Sequence, residues 1–148
     1  LKEKHSAFYL GRGLDYNIAM EGALKIKEIS YIHAEAFAAG ELKHGTIALI
    51  EKGTPVIAIA SQEALFEKMV SNMEEVRARG AYVIAIAQEK NKEVEKAADE
   101  VIYIPNVEDV LSSILTVLPL QLLSYYVAVE RGCDVDKPRN LAKSVTVE

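Results

Sequence analysis

Apolar residues fall along the chain in two kinds of run. Ala7–Leu10, Val56–Ala60, Tyr82–Ala87 and Val101–Ile104 are short, continuous and bounded by glycine, proline or polar residues, which predicts strands. Longer stretches with helical spacing separate them: one ending near Tyr31, one over Ala64–Arg79, and one from about Glu108 to Glu130. Alternation of this kind predicts βαβ units around a parallel sheet. The strand runs are apolar throughout, as burial on both sheet faces requires. The expected fold is α/β, a three-layer doubly wound parallel sheet flanked by helices, flavodoxin- or Rossmann-like, forming one domain over residues 1–148. Pro119 inside the last helical run cannot donate a backbone hydrogen bond and should kink or disturb it. Gly132 should end that helix, and residues 133–148, which carry Pro138 and no clear period, read as an irregular tail.

Composition narrows the function classes. With 148 residues, half of them hydrophobic, the chain can bury a core of its own. Its 17 basic and 22 acidic residues give a net charge of −5 with no basic block, so the footprint of a nucleic-acid partner is missing. No run of 18 uninterrupted apolar residues occurs, and Leu1-Lys2-Glu3-Lys4-His5 lacks the apolar core of a signal peptide; a cytoplasmic protein with no membrane contact is expected. Cys133 is the single cysteine and there are three histidines, so no intrachain disulfide, no metal and no cofactor is expected. A first residue other than methionine, with a strand beginning a few residues later, leads to the expectation of a piece of a longer protein.

Gly11-Arg12-Gly13 follows the first strand and precedes a helix, where glycines let backbone approach a phosphate or simply shape a tight turn. The dinucleotide fingerprint fails, since its third glycine falls on Tyr16, and Arg12–Asn17 is poor in hydroxyl side chains. On the helix that follows, Asn17, Glu21, Lys25 and Glu28 fall within an arc of about 80°. Ile18, Ile29, Met20, Leu24 and Tyr31 flank that polar stripe, so the helix is expected to be largely buried. The stripe is either its one solvated face or the lining of a pocket in which a carboxylate beside a lysine moves protons. His33 and His44 are eleven residues apart, which is no metal-site spacing; His44, beside Gly45 in an expected loop, is the more accessible. Near the end stands Lys143, with Asn140, Ser144 and Thr146 about it. A solvated tail lysine is inert, whereas a desolvated one can attack a carbonyl.

Two long motifs carry a resemblance. Glu21-Gly-Ala-Leu-Lys25-Ile-Lys-Glu28-Ile-Ser-Tyr31-Ile-His-Ala-Glu35, continuing into Gly40-Glu-Leu-Lys-His44-Gly45, resembles the core of the second sugar-isomerase (SIS) domain of the glutamine–fructose-6-phosphate amidotransferases, the glucosamine-6-phosphate synthases. Asp134-Val-Asp-Lys-Pro138-Arg-Asn-Leu-Ala-Lys143-Ser-Val-Thr-Val-Glu148 is similar to their terminal signature. The similarity covers essentially the whole chain, although residues 51–106 carry only generic α/β pattern. The resemblance implies synthesis of glucosamine 6-phosphate from fructose 6-phosphate and glutamine, the first step of hexosamine synthesis. By the same resemblance Lys143 would form a Schiff base with the open-chain sugar, and Glu28 would move a proton between C1 and C2. Lys25 would stabilise the anionic intermediate, with Glu21 supporting substrate binding. His44 would assist ring opening in the neighbouring subunit, which implies a homodimer. The stripe then becomes pocket-lining.

Thr46 departs from the proline expected after His44-Gly45. The family's phosphate-binding serines and threonines belong to a first SIS half, and its ammonia comes from an N-terminal glutaminase domain; neither is in this chain, so little or no turnover is expected of it alone. Two other readings keep the fold. One is a non-catalytic module that binds a sugar phosphate, which has no need of Lys143. The other is a nicotinamide-binding domain, which requires the missing third glycine and an acidic ribose partner for which Ser61-Gln62-Glu63 is a poor candidate.

Overall fold

A computed structural model of the chain describes residues 1–139. Five parallel strands form one sheet: β1 (Ser6–Gly11), β2 (His33–Ala38), β3 (Pro55–Ala60), β4 (Tyr82–Gln88) and β5 (Glu100–Ile104), in the spatial order β2-β1-β3-β4-β5. This is the flavodoxin-like order, whose connections diverge between β1 and β3. Helices α1 (Leu14–Ser30) and α3 (Asp109–Glu130) cover one face, and α2 (Phe66–Ala78) covers the other. The three layers follow from the strand sequences. Ala7, Tyr9, Ile57, Ile59 and Ile86 pack toward α1 and α3, while Phe8, Leu10, Val56, Ala58, Val83 and Ala85 pack toward α2. Each fully buried isoleucine among them contributes about 1.5–3 kcal/mol.

Three details differ from the sequence pattern. β2 is an additional strand, paired in register with all of β1 from Ser6–His33 to Gly11–Ala38. Its residues His33, Glu35 and Phe37 alternate with alanines on the sheet edge, so no continuous apolar run marks it. The second predicted helix opens as a 3₁₀ turn, Glu63–Leu65, and is α-helical only from Phe66. α3 runs unbroken through Pro119. Thr46 starts a 3₁₀ turn, Thr46–Leu49, just beyond Gly45, so the missing proline leaves the local backbone helical.

α3 buries the stripe Ser112, Thr116, Leu120, Ser124 and Ala128, which is small and partly polar. Thr116 and Ser124 donate their hydroxyls to the carbonyls of Ser112 and Leu120, four residues back, so they are satisfied inside the helix. Facing them, α1 presents Asp15, Ala19, Gly22, Ala23 and Ile26. Small residues on both helices permit a close approach, and at Gly22 a Cβ would fall 2.8 Å from the Leu120 side chain and 2.9 Å from Tyr9. Leu120 and Val127 are buried, but other large apolar residues of α3 are left outside: Leu111, Ile114, Leu118, Leu122, Tyr125 and Val129 are all exposed. They recur at intervals of three and four, the spacing of an interface stripe. By length and composition α3 could also cross a bilayer, but its buried face is fitted to α1 and the sheet.

Candidate active site

The polar stripe of α1 is assembled as its spacing requires. Lys25 Nζ lies 2.7 Å from a Glu28 carboxylate oxygen and 3.6 Å from one of Glu21. The side chains are 33% exposed for Lys25, 38% for Glu21 and 47% for Glu28. The hydrogen bond to Glu28, aided by the charges of both carboxylates, holds the Lys25 ammonium above its ordinary pKa. Lys25 is thus a fixed cation, suited to stabilising negative charge and unsuited to nucleophilic attack. The expectation of a largely buried helix is corrected here. Only one face of α1 is buried, and Met20 and Leu24, which flank the stripe, are exposed. The helix packs on the sheet and α3 through one face, and nothing in the described chain covers its outer side.

His44 is not in this cluster. α1 runs back from the carboxyl ends of the strands, so Glu28 in its last turn stands at the amino-terminal edge of the sheet. β2 then crosses the sheet, and His44 ends the 3₁₀ turn Ala39–His44 at the opposite edge. The six residues of β2 separate the two by about 20 Å. His44 is 74% exposed, with only Glu41 beside it at 3.6 Å. His33, at the other end of β2, bonds to Glu35 at 3.1 Å. Lys143, with Asn140, Ser144 and Thr146, lies outside the described residues.

At the strand-order switch point between β1 and β3, several of the chain's polar groups bond to one another. Asp15 is buried, and its carboxylate accepts both the backbone N–H (2.8 Å) and the hydroxyl (2.5 Å) of Ser61, whose oxygen also lies 2.9 Å from that of Ser112. Gln62 donates to the Arg12 carbonyl at 2.6 Å, and Gln88 joins the Ser61 carbonyl to the Val107 N–H. Glu63 pairs with Lys90. Gly11-Arg12-Gly13 shapes the turn into α1. Nothing in the spacing marked Asp15, because an acidic residue in a first helical turn ordinarily needs no other explanation.

Burial raises the Asp15 pKa, opposed by the Ser61 and Gln62 hydrogen bonds. An acid whose pKa is raised on folding contributes stability that is complete below its unfolded value and is lost as pH rises through the folded one. Asp15→Asn abolishes that titration. Urea midpoints measured from pH 4 upward should show the wild type's advantage over the variant shrinking with pH, and a constant difference would contradict this assignment.

Comparison with known proteins follows the same lines. The SIS domain model matches residues 1–131. A glutamine–fructose-6-phosphate aminotransferase (isomerizing) of Caldanaerobacter subterraneus subsp. tengcongensis is 67% identical over 141 residues, 95% of this chain and 23% of that protein. The solved C-terminal domain of glucosamine-fructose-6-phosphate aminotransferase from Francisella tularensis superposes with a TM-score of 0.87 at 45% identity, over 92% of this chain and 38% of that one. Glucosamine-6-phosphate deaminase from Thermotoga maritima gives 0.78 at 31%, over 97% and 41%. The chain thus spans about a quarter of the length of the curated relatives it matches.

Proposed function

Because the chain belongs to the SIS domain family, we propose that it is the second sugar-isomerase half of a glutamine–fructose-6-phosphate amidotransferase, working in the cytoplasm on fructose 6-phosphate. The observation that carries this reading is the Glu21–Lys25–Glu28 cluster, a carboxylate beside a fixed ammonium on a helix whose outer side is open. In this reading Lys143 attacks the C2 carbonyl of the open-chain sugar and expels water to form an imine; ammonia then adds to C2 and Lys143 leaves as the free amine, so that the imine nitrogen is now that of ammonia. Glu28 takes a proton from C1 and returns it to C2, and Lys25, with Glu21 beside it, stabilises the charge that develops between the two steps. His44 assists ring opening in a second copy of the chain, since its own Glu28 is a strand's length away. A homodimer follows.

The exposed stripe of α3, together with Met20 and Leu24 of α1, leaves many large apolar side chains in water, as an interaction surface does. We assign its cover to the first SIS half of the same polypeptide, which would also supply the phosphate-binding groups, with ammonia delivered by an N-terminal glutaminase domain.

The test is borohydride trapping with fructose 6-phosphate, peptide mapping and a Lys143→Ala control. The expected result is an adduct on Lys143 that is weak in the chain alone and strong once the first half is added. No adduct on Lys143 in either preparation would remove the catalytic reading in favour of a sugar-phosphate-binding module. Substantial glucosamine 6-phosphate formation by the chain alone, given fructose 6-phosphate and ammonia, would refute the assigned need for the first half.

A further inference from the structure

Tyr31 is the only residue other than glycine with positive φ among those described, at φ 61° and ψ 20°. It closes α1, its N–H donating to the Lys27 carbonyl. Glycine or asparagine is the usual occupant of such a left-handed helix end. A tyrosine held there is strained, and strain of this kind points to a role for the side chain. Both parts of that side chain are engaged, by a residue 108 positions away: the backbone N–H of Arg139 donates to the Tyr31 hydroxyl at 3.0 Å, and the Arg139 guanidinium lies 4.1 Å from the ring centroid. The chain is guided to this contact after α3. Gly132 turns it at φ 69°, and the Asp134 carboxylate accepts the N–H groups of Asp136 and Lys137, each at 3.0 Å.

We propose that Tyr31 is a positioning residue that anchors the C-terminal segment, through Arg139, at the Glu28 end of α1. The consequence for catalysis rests on the function proposed above. Lys143 is four residues beyond Arg139, so its Cα can lie no more than about 14 Å from that of Arg139. Glu28 is less than one helical turn from Tyr31, well inside that reach. His44 of the same chain, at the far edge of the sheet, is near or beyond its limit. The anchor therefore fixes which end of the domain the lysine can serve, and its position three residues after Glu28 couples the base and the nucleophile through one helix terminus.

Two readouts that need no turnover test this in the 148-residue chain. Trypsin cleaves after Arg139, and docking on Tyr31 shields that bond. Zero-length carbodiimide coupling joins Lys143 to carboxylates it can touch, with Glu28 and Glu21 as the expected partners by peptide mapping. Tyr31→Gly removes the anchor while suiting the left-handed conformation, so its melting temperature should match or exceed that of the wild type. Cleavage after Arg139 should nevertheless rise about tenfold and coupling of Lys143 to Glu28 or Glu21 fall by a similar factor, the loss of one cation–π contact and one hydrogen bond. Tyr31→Phe, which keeps the ring, should fall between. Unchanged cleavage in Tyr31→Gly would overturn the anchor, and faster cleavage with unchanged coupling would overturn its positioning role. The borohydride experiment decides the catalytic reading separately.

Discussion

Glu28→Gln in the full-length protein is expected to lower glucosamine 6-phosphate formation by about 10²–10⁴-fold, the range of a lost general base, while a borohydride-trapped sugar still appears on Lys143. Glutamine keeps the shape of the side chain and one oxygen that can accept from Lys25 Nζ, 2.7 Å away in the present geometry. Because the Glu28 side chain is nearly half exposed, losing this ion pair should change stability by no more than about 1 kcal/mol. Activity and stability therefore separate. If the carboxylate moves the C1 proton, exchange of that proton with deuterated solvent should fall with kcat, whereas KM, set largely by groups elsewhere, should change little. Turnover at the wild-type rate would assign proton transfer to another group. Loss of the trapped adduct together with turnover would make Glu28 a residue of sugar binding or imine formation.

Much of the architecture was legible because parallel strands buried on both faces leave continuous apolar runs, and four of the five strands here have one. β2 escaped because an edge strand that alternates His33, Glu35 and Phe37 with alanine offers a weak apolar signal. The stripe of α1 was legible for a geometric reason, since helical spacing alone brings Glu21, Lys25 and Glu28 together. What periodicity could not supply was the depth of burial. The same apolar density that suggested an enclosed helix also fits one with an outer face awaiting a partner, and Met20 and Leu24 are exposed accordingly. In α3 the usual inference partly inverts, with Ser112, Thr116 and Ser124 inside beside Leu120, and Leu111, Leu118 and Leu122 outside. Hydropathy reports that a residue will be covered; it does not report whether its own chain does the covering. The distance between His44 and Glu28 was likewise invisible in a motif that places them sixteen positions apart, because an unrecognised strand lies between them.

Gly11→Ala should be among the most damaging single substitutions in the chain, by about 3 kcal/mol or more. A Cβ at this position would stand 2.3 Å from the Asp15 carbonyl oxygen, 2.4 Å from its carbonyl carbon and 2.5 Å from the Tyr16 nitrogen. All three are backbone atoms of the first turn of α1, so no rotamer change relieves the clash; the helix start must move away from β1. That movement pulls Asp15 off the Ser61 N–H and leaves a buried donor unpaired, adding the penalty of an unmade hydrogen bond to that of overpacking. At about 2–4 °C per kcal/mol for a chain of this size, the melting temperature should fall by roughly 10 °C. Gly40→Ala is the control, because there the new methyl meets only the movable guanidinium of Arg12 at 3.1 Å, and the loss should stay below about 1 kcal/mol. Equal melting temperatures for the two variants would contradict the close approach of α1 to β1. The effect should also reach the chemistry, since Glu21, Lys25 and Glu28 ride on the helix that Gly11 lets down onto the sheet. A folded Gly11→Ala protein should thus lose activity through displacement of the whole stripe, although no atom of residue 11 belongs to it.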